Sequence, residues 1–161
     1  MYRIIGFIFL FLICHSVSGE TDEKYSVAVG NANGSRVIYR YVSVIPKSEV
    51  KSRFPWLVVV SWKYAPKDGG GMPDDDAYQS MSNLEDALEE AINGRNLGTD
   101  VYVRTGGGLR EMGYYISSRE EFTQSINNKL KDHPQYPISI EFFSDPEWSD
   151  YRTLLSKVGG G

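Results

Sequence analysis

The chain predicts an α+β fold: a ferredoxin-like (split βαβ) antiparallel sheet with two helices on one face, an extra N-terminal strand and a short C-terminal helix. Three observations predict it. Counted from Trp56, β-branched and aromatic runs and amphipathic stripes follow the order strand, helix, strand, strand, helix, strand, which is that of a split βαβ unit. The middle pair of strands is joined only by Thr105-Gly106-Gly107-Gly108, a link short enough to impose an antiparallel hairpin. The 161 residues, 41% apolar and 24% charged, have the size and balance of a single folded domain.

Each element has a local reason. Residues 20–35 read as an N-terminal lead-in, charged from Glu20 to Lys24 and turning at Asn31-Ala32-Asn33-Gly34-Ser35. Arg36 to Ile45 is a β-branched and aromatic strand that Pro46 ends, with Val37, Tyr39 and Tyr41 on one face. Trp56 to Tyr64 opens as a continuous apolar run, as expected of a central strand covered on both faces. After the loop Pro66 to Pro73, Asp74-Asp75-Asp76 opens a helix whose Ala77, Met81, Leu84, Leu88 and Ala91 form one stripe, and Asn93-Gly94 closes it. Asp100 to Arg104 and Leu109 to Ile116 are the hairpin strands. Ser118-Arg119-Glu120-Glu121 is a capping box, with Phe122, Ile126 and Leu130 behind it. Ile138 to Phe143 is the last strand, and Asp145-Pro146 starts the terminal helix with an N-cap and a first-turn proline. The domain is expected over 36–155, with 156–161 as a flexible tail.

The first residues set an expected location. Ile4 to Cys14 is an apolar run interrupted only by Gly6, long enough for a secretory h-region and shorter than the roughly 20 residues a spanning helix needs. Ser16, Val17, Ser18 and Gly19 suit signal cleavage, so residues 1–19 read as a signal peptide and the chain as periplasmic or secreted, with no stable membrane anchor after cleavage. Cleavage would remove Cys14, the only cysteine, and His15, leaving His133 as the single histidine. Thiol nucleophiles, disulfides and Cys/His metal sites are then outside the inventory, and no cofactor is expected. With 17 basic against 21 acidic residues, the net charge of -4 disfavours nucleic-acid partners.

Function is read from the parity of the strands. Placing Val101, Val103, Met112, Tyr114, Ile116, Ile138, Ile140 and Phe142 toward the helices turns Tyr102, Arg104, Glu111, Tyr115, Ser139, Glu141 and Lys63 to the other face. With Gly106-Gly107 as the turn, Tyr102 lies across from Glu111 and Arg104 diagonal to it. The candidate binding residues are therefore Tyr102, Arg104, Glu111, Tyr115 and Glu141, bordered by Trp62 and Tyr64, because aromatic and Arg side chains dominate binding hot spots. No catalytic or metal-binding residue is assigned. The reading is an exported, non-catalytic module binding an unknown protein or small ligand. The alternative is a carboxylate-dependent hydrolase of envelope or extracellular glycans using Glu111 and Glu141, which would sit two strands apart, about 9 to 10 Å between backbones.

Other motifs have plainer explanations. Gly106 to Gly108 reads as a turn, since no helix starts there to hold an anion. Asp74 to Asp76 reads as helix capping, because consecutive acids lack the alternation of a calcium loop. Trp148 and Tyr151 read as docking residues of the terminal helix. Asn33-Gly34-Ser35 is a glycosylation sequon, relevant only in a eukaryotic host.

The tract Thr105-Gly106-Gly107-Gly108-Leu109-Arg110-Glu111 with Tyr114-Tyr115, followed by Asp145-Pro146-Glu147-Trp148-Ser149-Asp150-Tyr151, resembles the pattern of the domain of unknown function 695 (DUF695). The resemblance covers Arg36 to Leu155, and the closing D-P-x-W-x-x-Y is its most specific part. It implies the same order of elements and supplies no catalytic residue.

Overall fold

A computed structural model describes residues 25–67 and 69–158; the signal peptide expected at 1–19 lies outside them. The chain runs β1 (Tyr25–Ala32), β2 (Ser35–Val42), α1 (Ser48–Arg53), β3 (Trp56–Lys63), α2 (Asp75–Asn93), β4 (Gly98–Gly106), β5 (Leu109–Ile116), α3 (Arg119–Leu130), β6 (Ile138–Ser144) and α4 (Ser149–Val158). The fold is α+β, with one six-stranded sheet in the order β1-β2-β4-β5-β3-β6. Every neighbouring pair is antiparallel.

The helices start where their caps place them. Asp74 accepts the Ala77 N–H at 2.8 Å and Ser118 accepts the Glu121 N–H at 3.3 Å, satisfying amides that a first turn leaves free. The α2 stripe Met81, Leu84, Leu88 and Ile92 packs with Phe122 and Ile126 of α3 onto Val58, Val60, Met112, Tyr114 and Ile116. Each such aliphatic side chain contributes about 1.5–3 kcal/mol on burial. Ser125 Oγ donates to Ala91 O at 2.9 Å between the two helices. The other face carries a second core, in which Trp148 and the α4 residues Tyr151, Leu154 and Val158 cover Leu57, Val59, Tyr102 and Tyr115 together with Tyr39 and Tyr41 of β2.

Several expectations change. The lead-in is a strand: β1 pairs with β2 along its whole length, so two strands precede β3 where one was expected. Its bulkier Val27 is 65% exposed while Ala28 is 2% exposed, so the small residues face the core and the apolar signal is inverted. β2 stops at Val42 rather than Ile45 and extends the sheet beside β4. α1 was not anticipated, and α4 continues into the expected tail as far as Val158. A bulge between Asp100 and Tyr102 breaks the parity of β4, so Val101 joins the core beneath α4, not the one beneath α2.

Candidate functional site

The hairpin turns at Gly107-Gly108, with φ of 61° and 74°, one position later than expected. Two successive positive φ values make the tight turn that matches strand twist, and glycine meets that demand without a Cβ penalty. Gly106 then pairs with Leu109, and Arg104 lies directly opposite Glu111 rather than diagonal to it. The pairing continues sideways through Tyr39 to Arg104, Glu111 to Ser61, and Ser61 to Ser139. Tyr39, Arg104, Glu111, Ser61 and Ser139 thus form one transverse row on a single face of the sheet, crossing five strands.

Arg104 holds the turn it precedes, its Nη1 donating to Gly106 O at 3.2 Å and Leu109 O at 3.3 Å. Burial pushes the Tyr39 hydroxyl above its ordinary pKa, against the Arg104 guanidinium that bonds to it. Arg104 and Ser61 are half-buried, Glu111 is 8% exposed, and Ser139, Lys63 and Glu141 are exposed.

Two rows further from the turn, the same face is closed. Tyr115 is 0% exposed and stacks on Trp148, ring centroids 3.8 Å apart with planes 8° apart. Tyr115 donates to Asp145 Oδ2 at 2.6 Å, and the same carboxylate accepts Ser149 N at 2.8 Å and Asp150 N at 3.0 Å. Asp145 is therefore both cap and anchor for α4. Trp148 donates through Nε1 to Phe54 O at 3.0 Å, and Tyr151 donates to Val42 O. The D-P-x-W-x-x-Y segment is the clasp that docks α4. Burial, then the bond to Asp145, drives the Tyr115 hydroxyl far above the usual tyrosine range.

Tyr102 and Tyr115 consequently lie under α4, with the Tyr102 ring resting on Gly113, where an added Cβ would sit 2.2 Å from Tyr102 Cε1. Trp62 belongs to the opposite core beneath α2 and α3, its ring tilted on Tyr136 at 5.4 Å. Tyr64 packs against that core too and donates to Gly71 O at 2.9 Å. Trp62 does not border the polar row, whereas the Tyr64 hydroxyl lies near Arg104, whose charge works against the rise that burial gives its pKa. Glu141 lies in the next row, where it faces Val59 and, beyond it, Gly113, so the Glu111 and Glu141 backbones are separated by two strands and two residues, roughly 12 Å.

A cluster of charge that was not anticipated lies on the helical face. Glu85 of α2 is buried with one carboxylate oxygen bonded to Arg110 of β5 and the other to Arg40 of β2. Tyr78 covers Arg110 at 5.6 Å, Tyr25 covers Arg40 at 5.0 Å, and Tyr25 donates to Asp100 Oδ2 at 2.6 Å. Burial, then the charges of Asp100 and Glu85, raise the pKa of neighbouring Glu89. The signal was present in sequence: Glu85 falls four residues after Met81 and three before Leu88, on the apolar stripe itself.

Among the described residues no group of three His, Cys, Asp or Glu side chains is placed to hold a metal ion, and no helix is long and apolar enough to cross a membrane. The model of a family of unknown function, DUF695, matches residues 23–156. No curated protein matches the chain.

Proposed function

Because the chain belongs to the DUF695 family, for which no function is described, we propose from its geometry that it is an exported, non-catalytic binding module whose contact surface is the polar row beside α4. The observation that carries this reading is the Arg104–Glu111–Ser61–Ser139 row, which lies just beyond the aromatic block that α4 covers, with Lys63 and Glu141 exposed around it. A guanidinium and a carboxylate directly opposed, with hydroxyls alongside, offer complementary donors and acceptors to a small polar or zwitterionic ligand or to a polar patch on a protein. The order β4-β5-β3-β6, with α2 and α3 on one side, supports a ferredoxin-like core with β1 and β2 added at one edge. The apolar run Ile4 to Cys14 supports export to the periplasm or beyond.

The glycan-hydrolase alternative loses its support. The Glu111 and Glu141 backbones lie in different rows, roughly 12 Å apart by strand geometry, farther than the two-strand spacing of about 9 to 10 Å on which that reading rested. Tyr102, Tyr115 and Trp62 also leave the proposed surface, since all three are buried in the two cores.

A thermal-shift screen of small zwitterions and carboxylates tests the proposal, since a ligand that binds only the folded state raises Tm by mass action. The reading expects a ligand whose stabilisation is lost in both Arg104→Ala and Glu111→Gln and which is recovered chemically unchanged. A ligand that stabilises both variants as it does the parent, or that is turned over, contradicts it.

A further inference from the structure

Among the described residues the sheet ends in two edges that no strand continues, β1 and β6. β6 pairs with β3 on its inner side from Ile138 to Ser144, and among the described residues no strand lies along its outer side. The usual protections of such an edge are missing: β6 contains no Lys, no Pro and a single charge, Glu141.

The two sides of this edge differ in chemistry. Alternation places Ile138, Ile140 and Phe142 toward α3 and Ser139, Glu141 and Phe143 toward α4. Ile140 is 38% exposed, and Phe142 is half-buried at the floor of a shallow groove between α3 and β6, whose wall carries Arg119, Glu120 and Glu121 of the first turn of α3 and then Thr123, Gln124, Asn127 and Asn128. On the other side Glu141 is exposed, and from Ile138 to Trp148 the only charged residues are Glu141, Asp145 and Glu147. An incoming strand thus meets Ile140, Phe142 and amide side chains on one side, with the mixed charges of the first turn of α3 at one end, and the exposed Glu141 carboxylate on the other.

We propose that β6 is a strand-addition site for an extended peptide in which apolar and basic residues alternate. Main-chain hydrogen bonds along β6 supply the attachment, while side chains of alternate residues supply selection. The apolar residues cover Ile140 and Phe142, and the basic residues face Glu141 as cross-strand partners. A second copy of the chain fits less well. The antiparallel register that pairs all of β6 with its own copy has its two-fold at Glu141, the middle residue of the strand, and sets that carboxylate directly opposite itself. β1 offers no comparable selection, because its eight residues carry no charge. The inference goes beyond the polar-row reading and does not depend on it.

The test uses the full chain and three end-blocked octapeptides: alternating Val and Lys, alternating Val and Glu, and the Val/Lys peptide with alternate amides N-methylated. Binding is read by titration calorimetry and by amide chemical shifts of β6. The Val/Lys peptide should bind saturably and shift the β6 amides, the Val/Glu peptide should bind several-fold more weakly, and N-methylation should abolish binding. Glu141→Lys, at an exposed position, should invert the preference between the two charged peptides. Equal affinity for both, an unchanged preference in Glu141→Lys, shifts confined to β1, or no saturable binding at millimolar peptide would each overturn the proposal.

Discussion

Tyr115 and Trp148 lie face to face, 3.8 Å between ring centroids, and this contact divides one side of the sheet into a sealed aromatic half and a polar half that reaches solvent. Trp148 reaches it with φ of 55°, a left-handed conformation unusual for a bulky residue, held by its Nε1 bond to Phe54 O and by the Asp145 cap beside it. Replacing Trp148 with Ala should cost about 3–5 kcal/mol, because it removes a fully buried ring and leaves a cavity. Urea unfolding monitored by circular dichroism would show the loss as a lower midpoint.

The charge cluster beneath α2 should behave as a unit. Glu85→Ala leaves Arg110 buried beside Tyr78 without its carboxylate, which should cost about 3–5 kcal/mol. Arg40 is partly exposed and can be solvated when the carboxylate is removed. The double variant Glu85→Met with Arg110→Met should therefore recover most of that loss. A double-mutant cycle in denaturant would show coupling between the two positions well above the scatter expected of independent sites.

Gly113 should be intolerant of any side chain, because the Tyr102 ring occupies the place of its Cβ. Gly113→Ala is expected to destabilise by about 1–3 kcal/mol through overpacking. Adding Tyr102→Leu should return part of that stability, and thermal unfolding of the three variants would show the compensation.

Alkaline pH should unfold the protein as its tyrosines ionise. Burial raises the hydroxyls of Tyr39, Tyr64, Tyr114, Tyr115 and Tyr151 above their ordinary value near 10, with the bond to Asp145 adding to the effect at Tyr115. Above pH 10 the unfolded chain releases these protons while the native state keeps them, so the native state binds more protons and stability falls as pH rises. A spectrophotometric titration should show the buried tyrosines ionising only together with the loss of tertiary signal. Their ionisation in a chain that stays folded would contradict the burial.

Much of this architecture could be read from the sequence, and the exceptions have physical causes. The alternation of β5 correctly separated Met112 and Tyr114 from Glu111 and Tyr115, because period two leaves no choice of face once the strand is regular. β1 stayed hidden because its smallest residues face the core. The bulge at Val101 carries no glycine to announce it, and it moves one side chain across the sheet. Glu85 was legible as a charge at a core position of α2, but its partners are 45 and 25 residues away, on β2 and β5. Parity placed Arg104, Glu111 and Ser139 on one face, but it did not give Tyr39 or Ser61 beside them, nor how far α4 reaches over that face. That depends on Asp145 serving at once as helix cap and as acceptor for Tyr115.

The division of this face is the claim on which the binding surface rests, and hydroxyl-radical footprinting of the native protein, read residue by residue by mass spectrometry, tests it most directly. Tyr78, which is 53% exposed, should be modified quickly, whereas Tyr102, Tyr115 and Trp148 should stay protected until the protein unfolds. Modification of Tyr115 and Trp148 at the rate of Tyr78 under native conditions would mean that α4 does not close the face.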